Sequence, residues 1–169
     1  MRNSGKMAPT LFMIGINGPV MFVPESWGND DEKDNFAQSA RLMSIAHAAT
    51  QVVMAMEAWI KRAKPGETVD LTEPPSEAFD REEVVVLMGE AKAGQKQKYL
   101  PIIRSGNGRF FGFGESDLPV FDQIEGRFAG ILPHSTPTPE QRTLAQAMLQ
   151  VKDMRVDLRA GERGNRKRR

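Results

Sequence analysis

The sequence predicts an α+β fold: an antiparallel β-meander packed against a central helix and a C-terminal helix, with an N-terminal β-hairpin. Three observations carry this expectation. Apolar runs at residues 10–16 (TLFMIGI) and 20–23 flank Asn17-Gly18, a dipeptide suited to the positive φ of a tight hairpin turn. Residues 84–88, 99–103 and 109–114 (RFFGFG) read as strands divided by turn residues, which describes a meander. After Pro133, the order Thr138, Pro139, Gln141 precedes an apolar stripe and gives the start signals of a helix.

Taken in order, Pro19 directly after the first turn has no amide proton to donate, which places its strand at a sheet edge. The segment PESWGNDDEKDN gathers Asp30, Asp31, Glu32 and Asp34, acidic residues that suit the positive end of a helix macrodipole. Leu42, Ile45, Ala46, Ala49 and Val53 give the helix its expected apolar stripe. That helix either runs on to Lys61 or stops near Thr50, leaving VVMAMEAWI as a strand; the length of an unbroken helix favours the break. Residues 64–80 hold Pro65, Pro74 and Pro75 and read as a long loop. Three successive valines from Val84 suit a strand buried on both faces, and residues 91–98 read as a polar connection carrying Gly94. Pro101 implies an edge or a bulge in the following strand. The last helix draws its stripe from Leu144, Ala147, Met148, Val151, Met154 and Leu158, and Gly161 ends it. The domain reading is one α+β domain over 1–160 and a basic flexible tail over 161–169.

Composition excludes several classes of chemistry. The 169 residues suffice for one core, and 40% apolar with 27% charged residues is ordinary for a globular chain. A net charge of +1 gives no global attraction to nucleic acid or acidic lipid. There is no cysteine, so thiolate zinc sites and cysteine nucleophiles are out. With only His47 and His134, a three-histidine metal site cannot form within one chain, and no metal or other cofactor is expected. No apolar stretch approaches the roughly 20 residues needed to span a bilayer. The start of the chain lacks an unbroken signal-peptide core, so a cytoplasmic location is the expectation.

Candidate sites fall into three groups. Glu90 and Lys92, two apart at a strand end, match half of a metal-dependent nuclease site of the PD-(D/E)xK type. There, carboxylates hold a divalent ion that activates water and the lysine stabilises charge. Asp70 or Asp80 would add a second acid from a neighbouring strand, and Glu57 one from a preceding helix. Against this, the residues after Lys92 read as meander where the nuclease fold has a crossover helix, and no Pro-Asp pair occurs. The second group is Phe110, Phe111 and Phe113, which resemble part of the base-stacking strand of RNA-recognition modules. Strand alternation puts Phe111 and Phe113 on one face and Phe110 on the other, as core or as a partner-binding surface. The third group is Arg163, Arg166, Lys167, Arg168 and Arg169, which can contact phosphates without reading sequence or simply remain solvated.

The combination MEAWIKRA followed by PPSEAFDREEVVVLMGEA resembles a pattern in small bacterial proteins without assigned chemistry, some carried by phages and plasmids. It covers residues 55–91. The resemblance implies a mobile-element setting and transfers no site residues. The preferred reading is therefore a non-enzymatic accessory protein acting through protein contacts and self-assembly. The nuclease and a nucleic-acid-binding tail are the alternatives, and no membrane association is expected.

Overall fold

A computed structural model describes residues 7–24, 27–62, 66, 68 and 72–151. Six strands and two helices follow one another as β1 (Thr10–Gly15), β2 (Gly18–Phe22), α1 (Asp30–Ala46), β3 (Gln51–Ile60), β4 (Glu82–Ala91), β5 (Gly94–Arg104), β6 (Phe110–Phe113) and α2 (Pro139–Val151). The strands form one antiparallel sheet in the order β2-β1-β3-β4-β5-β6. The α+β class and the meander of β4 to β6 are as the sequence predicts, and β3 adds a further antiparallel strand to it. Asp70 and the basic residues Arg163, Arg166, Lys167, Arg168 and Arg169 lie outside the described residues. Among the described residues, no helix is long and apolar enough to cross a membrane.

The N-terminal hairpin turns through Ile16 and Asn17, because Gly15 pairs with Gly18. Only Gly18 takes a positive φ, 99°. The turn is thus one residue earlier than the Asn-Gly dipeptide suggests. β2 carries Pro19 and forms one edge of the sheet.

α1 opens on an Asn29 cap whose side chain accepts the Glu32 amide at 2.9 Å, while the Glu32 carboxylate accepts the Gly28 amide in return. The helix stops through a Schellman turn: Ala49 N–H donates to Ser44 at 2.8 Å and Ala48 N–H to Ile45 at 3.0 Å. This turn needs a left-handed residue, and Ala48 supplies it at φ 44°. The end of the helix is then tied to the hairpin. Ile16 N–H donates to His47 at 3.0 Å, and Thr50 N–H to Ile14 at 2.8 Å. Gly15 permits this approach, because a Cβ there would lie 2.4 Å from the His47 carbonyl oxygen. β3 is thereby delivered beside β1, pairing Ile14 with Gln51 and Thr10 with Ala55. VVMAMEAWI is a strand and the helix breaks before it.

The register fixes which side chains share the inner face. Val20 and Phe22 lie beside Met13 and Leu11, which lie beside Val52 and Met54, and these beside Glu90 and Met88. All are buried, and Phe36, Ala37, Ala40 and Met43 of α1 complete the core with them. The helix stripe is therefore rotated from the one the sequence suggests. Leu42 and Ile45 are only partly buried, on the side where α2 packs through Ala145 and Leu149. The capping box of α2 is present: Gln141 Oε1 accepts the Thr138 amide at 2.8 Å, and Thr138 Oγ1 accepts the Gln141 amide at 3.3 Å.

Candidate functional site

The long connection 114–138 lies against the sheet and α1 without helix or named strand of its own. One isolated backbone bridge and several side chains hold it in place. Gln97 and Phe121 exchange both backbone hydrogen bonds, at 2.8 and 2.9 Å, and Gln95 Oε1 accepts the Ile124 amide at 3.1 Å. Arg41 on α1 donates to the carbonyls of Arg127, Ala129 and Gly130 at 2.8, 2.9 and 3.3 Å. Arg127 in turn pairs with Asp30 at 3.0 Å and Asp34 at 2.7 Å, and its hydrogen bond to Asp30, helped by Lys33, holds that carboxyl below the usual range. Phe128 stacks on Trp27, whose ring meets Phe36 edge-on.

Glu90 belongs to this anchoring. It projects from β4 into the core face, 6% exposed, and takes the Ile131 amide at 3.2 Å and the Leu132 amide at 2.8 Å on separate carboxylate oxygens. A buried carboxylate requires such donors, and two backbone amides of an otherwise unpaired loop require an acceptor. Lys92 lies in the two-residue turn between β4 and β5, exposed, one residue past the end of the strand at Ala91. The residues from Gly94 that read as a polar connection are part of β5. Gln95 and Gln97 face inward beside Glu90 and Met88, while Lys96 and Lys98 face outward.

Of the other carboxylates proposed for a nuclease, the two that are described, Glu57 and Asp80, do not join Glu90. Glu57 is on β3 instead of a preceding helix. It pairs in register with Val85 on the opposite face, about 17 Å along the strands from Glu90. Asp80 precedes the far end of β4, about 25 Å of strand away. Among the described residues, no three acidic or histidine side chains come together as a metal site would require. Glu90, Lys92 and His134 do border a cavity of about 280 Å³ together with Thr50, Ser135 and Thr136. Its one carboxylate is already engaged by the loop amides.

The bulge in β6 changes the expected faces of the phenylalanines. Ile102 pairs with Phe113 and Ile103 with Gly112, but Arg104 pairs with Phe110, leaving Phe111 as the extra residue. Phe110 and Phe113 consequently share a face, with ring centroids 5.1 Å apart, and Phe111 stands apart at 77% exposed. All three are accessible at the other edge of the sheet.

The outer face of the sheet is where the structure departs most from an ordinary one-sided sheet. An antiparallel sheet with one solvated face normally alternates apolar-in with polar-out. Here Phe12 pairs with Met21 on one side and Val53 on the other, and Val53 pairs with Gly89. Ile14 lies beside Gln51, and Thr10 beside Ala55, which lies beside Leu87. Neither α1 nor α2 covers this side, and Phe12, Ile14, Met21 and Val53 remain 46, 50, 37 and 41% exposed. Charges lie at its margins: Lys96, paired with Asp122, and Lys98 on β5, and Glu83, paired with Arg104, towards the far end. Such a contiguous apolar patch marks a contact surface more often than chance placement. Known protein-family models, curated proteins and solved structures yield no match to this chain, so the functional reading rests on this geometry.

Proposed function

We propose that this chain is a non-enzymatic interaction protein that works by burying the outer face of its sheet against another protein surface. One observation carries the reading: four large apolar side chains, Phe12, Ile14, Met21 and Val53, adjoin one another in register on a sheet face that neither α1 nor α2 covers. The arrangement around Glu90 supports it from the other side, since that carboxylate engages loop amides, and Glu57 and Asp80 lie far away along the strands.

A photo-reactive phenylalanine analogue at Met21 or Ile14 tests the reading in cells that express the full chain. Irradiation is expected to give discrete protein adducts from both positions, with none from a control at Gln146 on α2. Equal, diffuse labelling from all three positions, or none, overturns it.

A further inference from the structure

We propose that the occupant of the outer face is a second copy of this chain, packed sheet on sheet about a twofold axis that runs along β3. This inference rests on the interaction reading above and specifies its partner.

The argument begins at Gly89. A glycine inside a strand weakens it, and often marks a place where another group must come close. Nothing among the described residues requires a glycine at position 89. Its φ is not in the left-handed region, and a Cβ built on it would meet the nearest heavy atoms at 3.8–3.9 Å, ordinary van der Waals contact. The missing side chain therefore leaves a depression on the outer face, two strands from the exposed ring of Phe12 and in the same row as Phe12 and Val53.

Rotation about β3 exchanges β1 with β4. Phe12 of one copy then sits over Gly89 of the other, Ile14 over Ala91, and Thr10 over Leu87, while Val53 and Gln51 meet their own counterparts. Each of these three off-axis pairs sets a larger side chain against a smaller one, the condition for two sheets to close at about 10 Å. On the axis, two Gln51 side chains present amide donors and acceptors to each other. β5 comes to lie over β2, where the aliphatic stem of Lys96 can cover Met21 with its ammonium left at the rim. A face that is complementary to itself under one rotation is what an isologous dimer uses. The rotation also buries Phe12, Ile14, Met21 and Val53 together, the side chains of this face that stand 37–50% exposed.

The mass of the purified full chain by sedimentation equilibrium, from 1 to 200 µM, decides the matter. Wild type is expected to be a dimer, and both Gly89→Leu and Phe12→Lys are expected to weaken it at least 100-fold. Leu144→Lys, on the exposed side of α2, serves as the control and leaves it intact. The double variant Phe12→Ala with Gly89→Leu exchanges large for small and restores association to within about tenfold of wild type. Far-ultraviolet circular dichroism confirms that each variant is folded. A monomer at 200 µM, or a dimer indifferent to Gly89→Leu and Phe12→Lys, overturns the second-copy proposal. If a monomer still gives adducts to a different protein from Met21 and Ile14, the interaction reading stands with another occupant. If it gives none, both fall.

Discussion

Replacing Glu90 by alanine removes the side-chain acceptor of the Ile131 and Leu132 amides. The Ile131 residue is buried, so its N–H cannot turn to water, and the Leu132 amide is partly shielded. A hydrogen bond to a charged group contributes about 1.5–3 kcal/mol, and an orphaned buried donor costs about 1–3 kcal/mol. Counting the two bonds at the low end and allowing the loop some relaxation, Glu90→Ala should destabilise by about 3–5 kcal/mol. Glu90→Gln keeps one acceptor and turns an amide NH2 towards the other donor, for a loss of about 1.5–3 kcal/mol. Lys92→Ala, two residues away in an exposed turn, should stay within about 0.5 kcal/mol of wild type. Urea unfolding followed by tryptophan fluorescence reads these directly. With a slope near 2 kcal/mol/M, Glu90→Ala lowers the midpoint by about 2 M. Native-state hydrogen exchange of Ile131 and Leu132 should accelerate in step. A Glu90→Ala protein as stable as Lys92→Ala, with those two amides still protected, refutes the anchoring role.

Gly15→Ala brings a methyl group to 2.4 Å from the His47 carbonyl oxygen, a backbone atom that cannot rotate away; thermal melting should show a loss of about 1–3 kcal/mol, and an unchanged midpoint contradicts the close approach. Thr138→Ala removes one half of the α2 capping box and should cost about 1 kcal/mol in urea unfolding; no loss at all would mean that α2 does not depend on its cap. Burial of the imidazole pushes His47 below its ordinary value of 6.5, so the unfolded chain takes up a proton before the folded one as the pH drops. Its contribution is complete above about pH 6.5 and is lost as the pH falls through the lowered folded-state value. Urea midpoints measured from pH 8 to pH 5 should fall less steeply for His47→Gln than for wild type, and equal slopes remove His47 as the cause.

The elements whose signals are local were legible in the sequence. The break after α1, the strand at VVMAMEAWI, the meander and the α2 capping box all depend on periodicity, helix length or residues within one turn. What escaped depends on pairing. Residues 91–98 hold polar glutamines and lysines, and only the register shows the glutamines facing inward to meet Phe121 and Ile124. The β6 bulge follows from how Arg104 pairs, which no count of alternating positions gives. Glu90 was visible as a buried-strand carboxylate, but its partners come from residues 131 and 132, some forty positions along the chain. The outer face had a signal that was underused. Both TLFMIG and QVVMAM are apolar at odd and even positions alike, a pattern that means burial on two faces. In this chain the helices supply only one of those two covers.

The two edges of the sheet decide what a face-to-face pair can become. β2 carries Pro19, which has no N–H to offer an incoming strand, and β6 is four residues long and kinked by its bulge. Growth by strand addition is obstructed at both edges of the sheet, and the outer face is already taken up in the pair. Association of this kind closes on itself instead of propagating into fibrils.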